Sequence, residues 1–107
     1  MPAREAISDE SSAVFFSAAS AWEIATKHRL GKLPSAAALV LDIAGAVDGQ
    51  GVTPLPIAIA HAERAGALPG PHRDPFDRML IAQALLDDLV LVSNDPAFDA
   101  YGVRRLW

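Results

Sequence analysis

The chain contains no cysteine, which excludes a disulfide framework, a zinc site with cysteine ligands and a thiol nucleophile. It also lacks a leader with a charged segment before an apolar one, and no apolar run approaches the ~18 residues of a membrane span. We therefore predict a cytoplasmic protein without membrane contact. G-x-S-x-G, P-loop and G-x-G-x-x-G motifs are absent too.

Basic residues are in the minority, with 9 Lys and Arg against 13 Asp and Glu. This balance argues against a protein that coats nucleic acid. It stays compatible with a nucleic-acid enzyme that works through cations bound by carboxylates.

The length and the apolar content indicate one globular domain over residues 1–107, because 51% of the residues are hydrophobic. The histidines show no metal-ligand spacing, so we predict His28, His61 and His72 on the surface. His61 and Glu63 match part of a zinc-deaminase motif, but the cysteines that such a site requires are missing.

The strongest helix signal covers residues 74–86. Asp74 is a good N-cap, Pro75 suits the first helical position, and Asp77 lies in the favourable field of the helix N-terminus. The residues that follow are apolar on nearly all sides, which predicts a helix covered by neighbours on more than one face. A buried helix would thus begin with two acids.

A continuous apolar run follows at residues 89–93 and predicts a strand buried on both faces of a parallel sheet. In the loop after it, Asp95 precedes a proline and can cap a short turn over residues 97–99. Helix starts and strand ends share one edge of a parallel α/β sheet, so Asp77 and Asp95 are expected to face the same crevice.

Near the start of the chain, residues 13–17 form a short strand pattern. Ser20 and Glu23 match the S-x-x-E capping box of a helix that runs to Leu30, with Gly31 just past its end. A helix that leaves the end of this strand would place Glu23 beside the other two acids.

For the rest of the chain we predict a helical end and a polar turn over residues 2–12, and a helix over residues 36–47 that Gly45 weakens. A short strand is expected over 52–56 and a last strand over 103–107. Between them we predict a helix over 57–66, with His61, Glu63 and Arg64 on its outer side. This order of elements predicts an α/β sandwich with a mostly parallel sheet.

Each of the three acids alone has a local explanation: Glu23 completes a capping box, Asp77 lies in the field of a helix N-terminus, and Asp95 caps a turn, with a cap worth ~1 kcal/mol. Two carboxylates about 4 Å apart, however, repel by ~1 kcal/mol in water and by up to ~4 kcal/mol at an effective dielectric of 20, so clustering three would cancel that gain. A divalent cation bound between the carboxylates would replace this net repulsion by net attraction. Oxygen ligands without His or Cys suit Mg²⁺ or Mn²⁺, which can activate water against a phosphodiester.

Three segments carry a family resemblance: SAASAWEIA at residues 17–25, DPFDRMLIAQA at 74–84 and VSNDPAFDAYGV at 92–103. They resemble PIN-domain proteins, specifically the VapC toxins of type II toxin–antitoxin systems, in order and at similar spacing. The resemblance implies a PIN-like three-layer sandwich and a Mg²⁺- or Mn²⁺-dependent ribonuclease that a VapB-like antitoxin holds inactive.

By this resemblance the catalytic and metal-binding acids are Glu23, Asp77 and Asp95. Supporting neighbours are Asp74, Asn94, Ser17 and Ser93. Candidate RNA contacts are Arg78, Arg73, Lys27 and Arg29, for which solvated surface is the alternative.

Trp22 and the apolar faces of the helices over 22–30 and 36–47 are predicted to form a groove for an amphipathic antitoxin segment. The alternative for Trp22 is packing in the core.

The chain departs from the family at its start, where PIN domains have a central strand that ends in an aspartate. Glu5, Asp9 and Glu10 are the only acids nearby, and none follows a strand. A catalytically inactive PIN-like remnant that binds only an antitoxin or itself is therefore a second hypothesis. Without the central strand two sheet edges would be exposed, and such edges recruit other chains, so we expect a homo-oligomer.

Overall fold

The computed structural model of the protein describes residues 13–70 and 73–107. The helical end and polar turn predicted over residues 2–12 lie outside the described residues, as does His72. The described chain divides into two compact units, residues 13–56 and residues 57–107.

The first unit contains two strands, three α-helices and one 3-10 turn. They are β1 (Phe15–Ser17), α1 (Ala18–Arg29), a 3-10 turn (Pro34–Ala36), α2 (Ala37–Val40), α3 (Ile43–Gly49) and β2 (Thr53–Leu55). β1 pairs in parallel with β2, with Phe15 opposite Thr53 and Ser17 opposite Leu55. The two strands predicted in this part of the chain are thus confirmed.

The start of α1 corrects the predicted capping box. Ser17 is the N-cap: its backbone is extended, and its side chain accepts a hydrogen bond of 3.0 Å from the N–H of Ala19. Ser20 already lies inside the helix, because the chain turns from strand to helix directly after Ser17. Glu23 therefore lies within α1 rather than at its cap. Gly31 follows the helix with φ of +76°, as predicted for that position.

The helix predicted over 36–47 is divided at Asp42, which has non-helical backbone angles. Its Oδ1 accepts a hydrogen bond of 2.9 Å from the N–H of Gly45 and so caps α3. This side-chain bond competes with continuation of the helix. A Cβ atom at Gly45 would lie 2.2 Å from Asp42 Oδ2, so a larger residue at position 45 would require the Asp42 carboxylate to shift.

The second unit contains α4 (Ile59–Ala67), α5 (Pro75–Asp87), β3 (Leu91–Val92), a 3-10 helix (Pro96–Tyr101) and β4 (Arg105–Leu106). β3 pairs in parallel with β4, with Leu91 opposite Arg105 and Val92 opposite Leu106. α5 begins as predicted, and its C-cap Asp88 takes the left-handed conformation with φ of 53°.

The core of this unit lies between α5, the 3-10 helix and the segment before β4. Its buried members are Ile81, Ala84, Phe98 and Val103, against which Leu68, Leu85, Leu91 and Tyr101 pack. The prediction of a buried α5 is confirmed over residues 81–84.

β3 differs from its prediction. It is shorter than residues 89–93, and Val90 and Val92 are 40% and 44% exposed. A strand covered on both faces needs layers on each side, and among the described residues β3 has β4 as its sole strand partner.

The α/β class with parallel strands is confirmed, and the described strands form two separate two-stranded sheets. In the part of the chain that the structure describes, no helix combines the length and the apolar character needed to cross a membrane.

Candidate metal site

Two acids begin α5. Asp74 is its N-cap, and the Oδ1 of Asp74 accepts hydrogen bonds from the N–H groups of Phe76, at 2.9 Å, and Asp77, at 3.1 Å. Asp77 lies in the first turn, and a carboxylate oxygen of Asp77 lies within 4.8 Å of one of Asp74. Both residues are half-buried. The helix N-terminus offsets part of their mutual repulsion, and a cation would offset more.

The donor set of this pair fits a hard divalent cation. One oxygen of Asp74 is engaged by the two backbone donors, which fixes the orientation of the whole carboxylate. Carboxylate oxygens are the ligands that Mg²⁺ and Mn²⁺ prefer. We infer that Asp74 and Asp77 are suited to hold such an ion.

Asp95 begins the 3-10 helix. Its Oδ1 accepts a hydrogen bond of 2.9 Å from the N–H of Ala97, and its own N–H donates to Ser93 Oγ at 3.1 Å. The predicted cap is thus confirmed. Asp95 and Asn94 are exposed.

The second unit does not bring all its candidate acids together. Within residues 57–70 and 73–107, no third His, Asp or Glu places a ligand atom within 4.8 Å of both Asp74 and Asp77. Asp95 is therefore not within that distance of both Asp74 and Asp77 at once.

Glu23 belongs to the first unit, on α1. Its side chain is 22% exposed and forms an ion pair with Lys27, one turn further along the helix. Ser17, predicted to support the site, is buried and acts as the N-cap of α1.

The candidate RNA-binding cations fall into two groups. The first group forms contacts with other groups of the chain. Lys27 pairs with Glu23, and Arg78 donates to the carbonyl oxygens of Ala65, at 3.1 Å, and Leu68. Arg78 thereby ties α5 to the end of α4. The second group is on the surface, where Arg29 and Arg73 are exposed.

His61 corrects another prediction, because it is buried rather than on the surface. Its Nδ1 accepts a hydrogen bond of 2.9 Å from the N–H of Ala58, and its Nε2 lies 3.0 Å from Asp87 Oδ2. This contact joins the start of α4 to the end of α5. No local signal could have revealed it, because the two partners are 26 residues apart.

Arg105 was also missed by the sequence reasoning. Its guanidinium binds both carboxylate oxygens of Asp99, with Nε at 2.9 Å from Oδ1 and Nη2 at 3.0 Å from Oδ2. The alternating pattern of residues 103–107 predicted a strand but gave no indication of this ion pair.

The comparisons with known proteins define the class. The family profile described as the PIN domain matches residues 1–103, so the chain belongs to the PIN domain family. PIN domains are generally nucleases, and such nucleases typically use divalent metal ions. No curated protein and no solved structure matches the chain.

Proposed function

We propose that the protein is a Mg²⁺- or Mn²⁺-dependent ribonuclease of the VapC toxin type, formed by one PIN-like domain over residues 1–107. The observation that carries the proposal is the Asp74–Asp77 pair at the start of α5, in a chain that belongs to a family of nucleases. Asp77, Glu23 and Asp95 are the proposed metal ligands.

In this mechanism each acid has a defined task. Asp77 binds the ion at the helix start, while Asp74 holds the first turn of α5 and adds negative charge beside it. A bound divalent ion lowers the pKa of a coordinated water and polarises a phosphodiester. Lys27 pairs with Glu23 and offsets part of the negative charge of its carboxylate. Arg29 and Arg73 are suited to bind RNA phosphates.

The test compares Asp77→Asn with Asp48→Asn, because Asp48 is an exposed acid on α3. Calorimetry with Mn²⁺ should show binding for the unaltered chain and for Asp48→Asn. Asp77→Asn should lose more than the ~10–100-fold in affinity that is typical for outer-shell groups. Cleavage of a fluorogenic RNA with Mg²⁺ should follow the same order. Equal Mn²⁺ affinity of the two variants would reject the assignment.

The proposed protein partner is a VapB-like antitoxin that places an amphipathic segment on the first unit. Trp22 supports this proposal, because it is 51% exposed on α1 and tryptophan is enriched at interfaces with partners. Trp22→Ala should weaken capture of a co-expressed antitoxin. Trp107→Ala is the matched control, because Trp107 is also 51% exposed but lies in the other unit. Equal loss in both variants would contradict the proposed surface.

The second candidate function is an inactive PIN-like module that binds the antitoxin or itself. The strand pairing of the second unit favours self-association: the N–H groups of Leu91 and Ser93 donate to β4, so the groups of Val92 face the opposite edge. Among the described residues that edge has no strand partner.

Light scattering tests the proposed homo-oligomer. The molar mass of the unaltered chain should exceed that of a monomer. The Val92→Lys variant should have the mass of a monomer, because a lysine on an edge strand opposes pairing. Self-association without Mn²⁺ binding or RNA cleavage would favour the inactive module over the ribonuclease. A monomeric unaltered chain would reject edge pairing.

A further inference from the structure

Arg105 forms hydrogen bonds with both ends of residues 93–99, the segment that contains Asp95. The Nε and Nη2 of Arg105 donate to the two carboxylate oxygens of Asp99, at 2.9 and 3.0 Å. Its Nη1 donates to the carbonyl oxygen of Ser93 at 3.1 Å. Ser93 directly follows β3, and Asp99 lies within the 3-10 helix. Residues 93–99 are therefore held at both ends by a single side chain on β4.

Inside this segment the orientation of Asp95 is set by short-range bonds. The N–H of Asp95 donates to Ser93 Oγ, and the N–H of Ala97 donates to Asp95 Oδ1. Phe98, which is 5% exposed, anchors the same turn in the core. Because Oδ1 is engaged, the second carboxylate oxygen has a defined direction, provided that the ends of the segment stay in place.

We call the bonds from Arg105 to Ser93 and Asp99 the Arg105 clamp, and this clamp depends on the chemistry of the guanidinium group. A guanidinium is planar and can present two parallel N–H groups to a carboxylate while another N–H reaches a carbonyl, which an ammonium group cannot reproduce. The side chain of Arg105 is 21% exposed, whereas that of the neighbouring Arg104 is 60% exposed and pairs with Asp88. The two adjacent arginines thus differ in what they hold.

We propose that Arg105 is a positioning residue for Asp95, holding residues 93–99 in the conformation that lets the Asp95 carboxylate act as a metal ligand. This inference rests on the proposed function. The direction of the change in metal affinity distinguishes a positioning role of Arg105 from an effect of its charge. A positive charge near a cation site weakens cation binding, whereas a group that orients a ligand strengthens it.

The experiment measures Mn²⁺ affinity by calorimetry for the full chain with Arg105→Gln, Arg105→Lys and Arg104→Gln. Loss of positioning predicts that both Arg105 variants bind Mn²⁺ about 10–100-fold more weakly, the range typical for outer-shell groups. Arg104→Gln removes the same charge from the neighbouring residue and should bind as the unaltered chain does.

The opposite pattern would overturn the proposal: tighter binding by Arg105→Gln with unchanged binding by Arg105→Lys would mean that Arg105 acts through its charge alone. Amide hydrogen exchange without metal supplies a second measurement. The N–H of Ala97 should exchange faster in both Arg105 variants and at an unchanged rate in Arg104→Gln. If the unaltered chain binds no Mn²⁺, the proposed function fails. Unchanged exchange of Ala97 in the Arg105 variants shows separately that Arg105 does not hold the segment.

Discussion

The two units differ in how they bury apolar surface. Residues 57–107 contain a connected core around Ile81 and Phe98. In residues 13–56 the buried residues are Ser17, Ala19 and Val47, four large apolar side chains are exposed, and the other large apolar side chains are only partly buried. Those exposed side chains are Phe15, Trp22, Leu30 and Leu41.

This difference separates two tasks. A site that binds a metal ion needs ligands on well-packed elements, and Asp74, Asp77 and Asp95 belong to the unit with the connected core. Accessible apolar groups suit a surface that binds a partner, and both units expose some, so the connected core is what distinguishes residues 57–107. We expect residues 13–56 to open locally at a lower free energy than residues 57–107, because fewer apolar contacts oppose the opening.

The largest expected effect is on the core of the second unit. Ile81→Ala removes a fully buried side chain from α5 and should lower the free energy of unfolding by about 2–5 kcal/mol. Ile59→Ala is the matched control in the same unit, because Ile59 is 82% exposed, and it should change stability by less than about 0.5 kcal/mol. Urea unfolding measures both, and equal effects would contradict this description of the core.

Much of this unit could be predicted from the sequence, because its signals are local. The start of α5 depends on Asp74, Pro75 and Asp77, which act within one turn, and the cap by Asp95 depends on the next two residues. The burial of His61 could not be predicted, since its partner Asp87 lies on another helix.

In the first unit the sequence misled at two helix boundaries. Ser20 and Glu23 fit a capping box, but Ser17 is the last residue with non-helical backbone angles, which an N-cap requires, and Ser20 already lies in the helix. Apolar spacing suggested one helix over 36–47, but the spacing did not reveal that Asp42 would turn back to cap the chain at Gly45. For the candidate site, the pairing of Asp74 with Asp77 followed from helix geometry, whereas the clamp by Arg105 depends on tertiary contacts.

A smaller effect is expected at the contact between α4 and α5. Because the N–H of Ala58 donates to Nδ1 of His61, the proton of the ring lies on Nε2 and is donated to Asp87. His61→Ala leaves a backbone donor and a carboxylate without these bonds and should cost about 1–3 kcal/mol. Glu63→Ala, at an exposed position of the same helix, should cost less than about 0.5 kcal/mol. Similar values for the two variants would show that the histidine contact adds nothing to stability.

The comparison is sharpened by a cap in the first unit. Ser17→Ala removes the acceptor of the Ala19 N–H and should cost about 1 kcal/mol. If residues 13–56 open independently, amide exchange should accelerate throughout α1 and stay unchanged in α5. Equal acceleration in both helices would mean that the units unfold only together. In that case the proposed difference in local stability is wrong.

The smallest expected effect is a pH dependence that arises at Asp99. The hydrogen bond from Arg105 is the main cause that holds the pKa of this carboxyl below its ordinary value of 3.8; desolvation opposes it, and the charge of Arg105 adds a smaller lowering effect. The unfolded chain therefore takes up this proton at higher pH than the folded chain, so the stabilisation is fully present above pH 3.8 and is lost as the pH falls through the lower, folded value. Solvent screens the exposed pair, which keeps the effect small.

Urea unfolding between pH 5 and pH 2 should show a shallower loss of stability for Asp99→Asn than for the unaltered chain, whereas Asp48→Asn should retain the original slope. Amide exchange should locate the change at Ala97 in the second unit, with α1 unaffected. Identical slopes for all three proteins would show that the Arg105–Asp99 pair does not stabilise the fold.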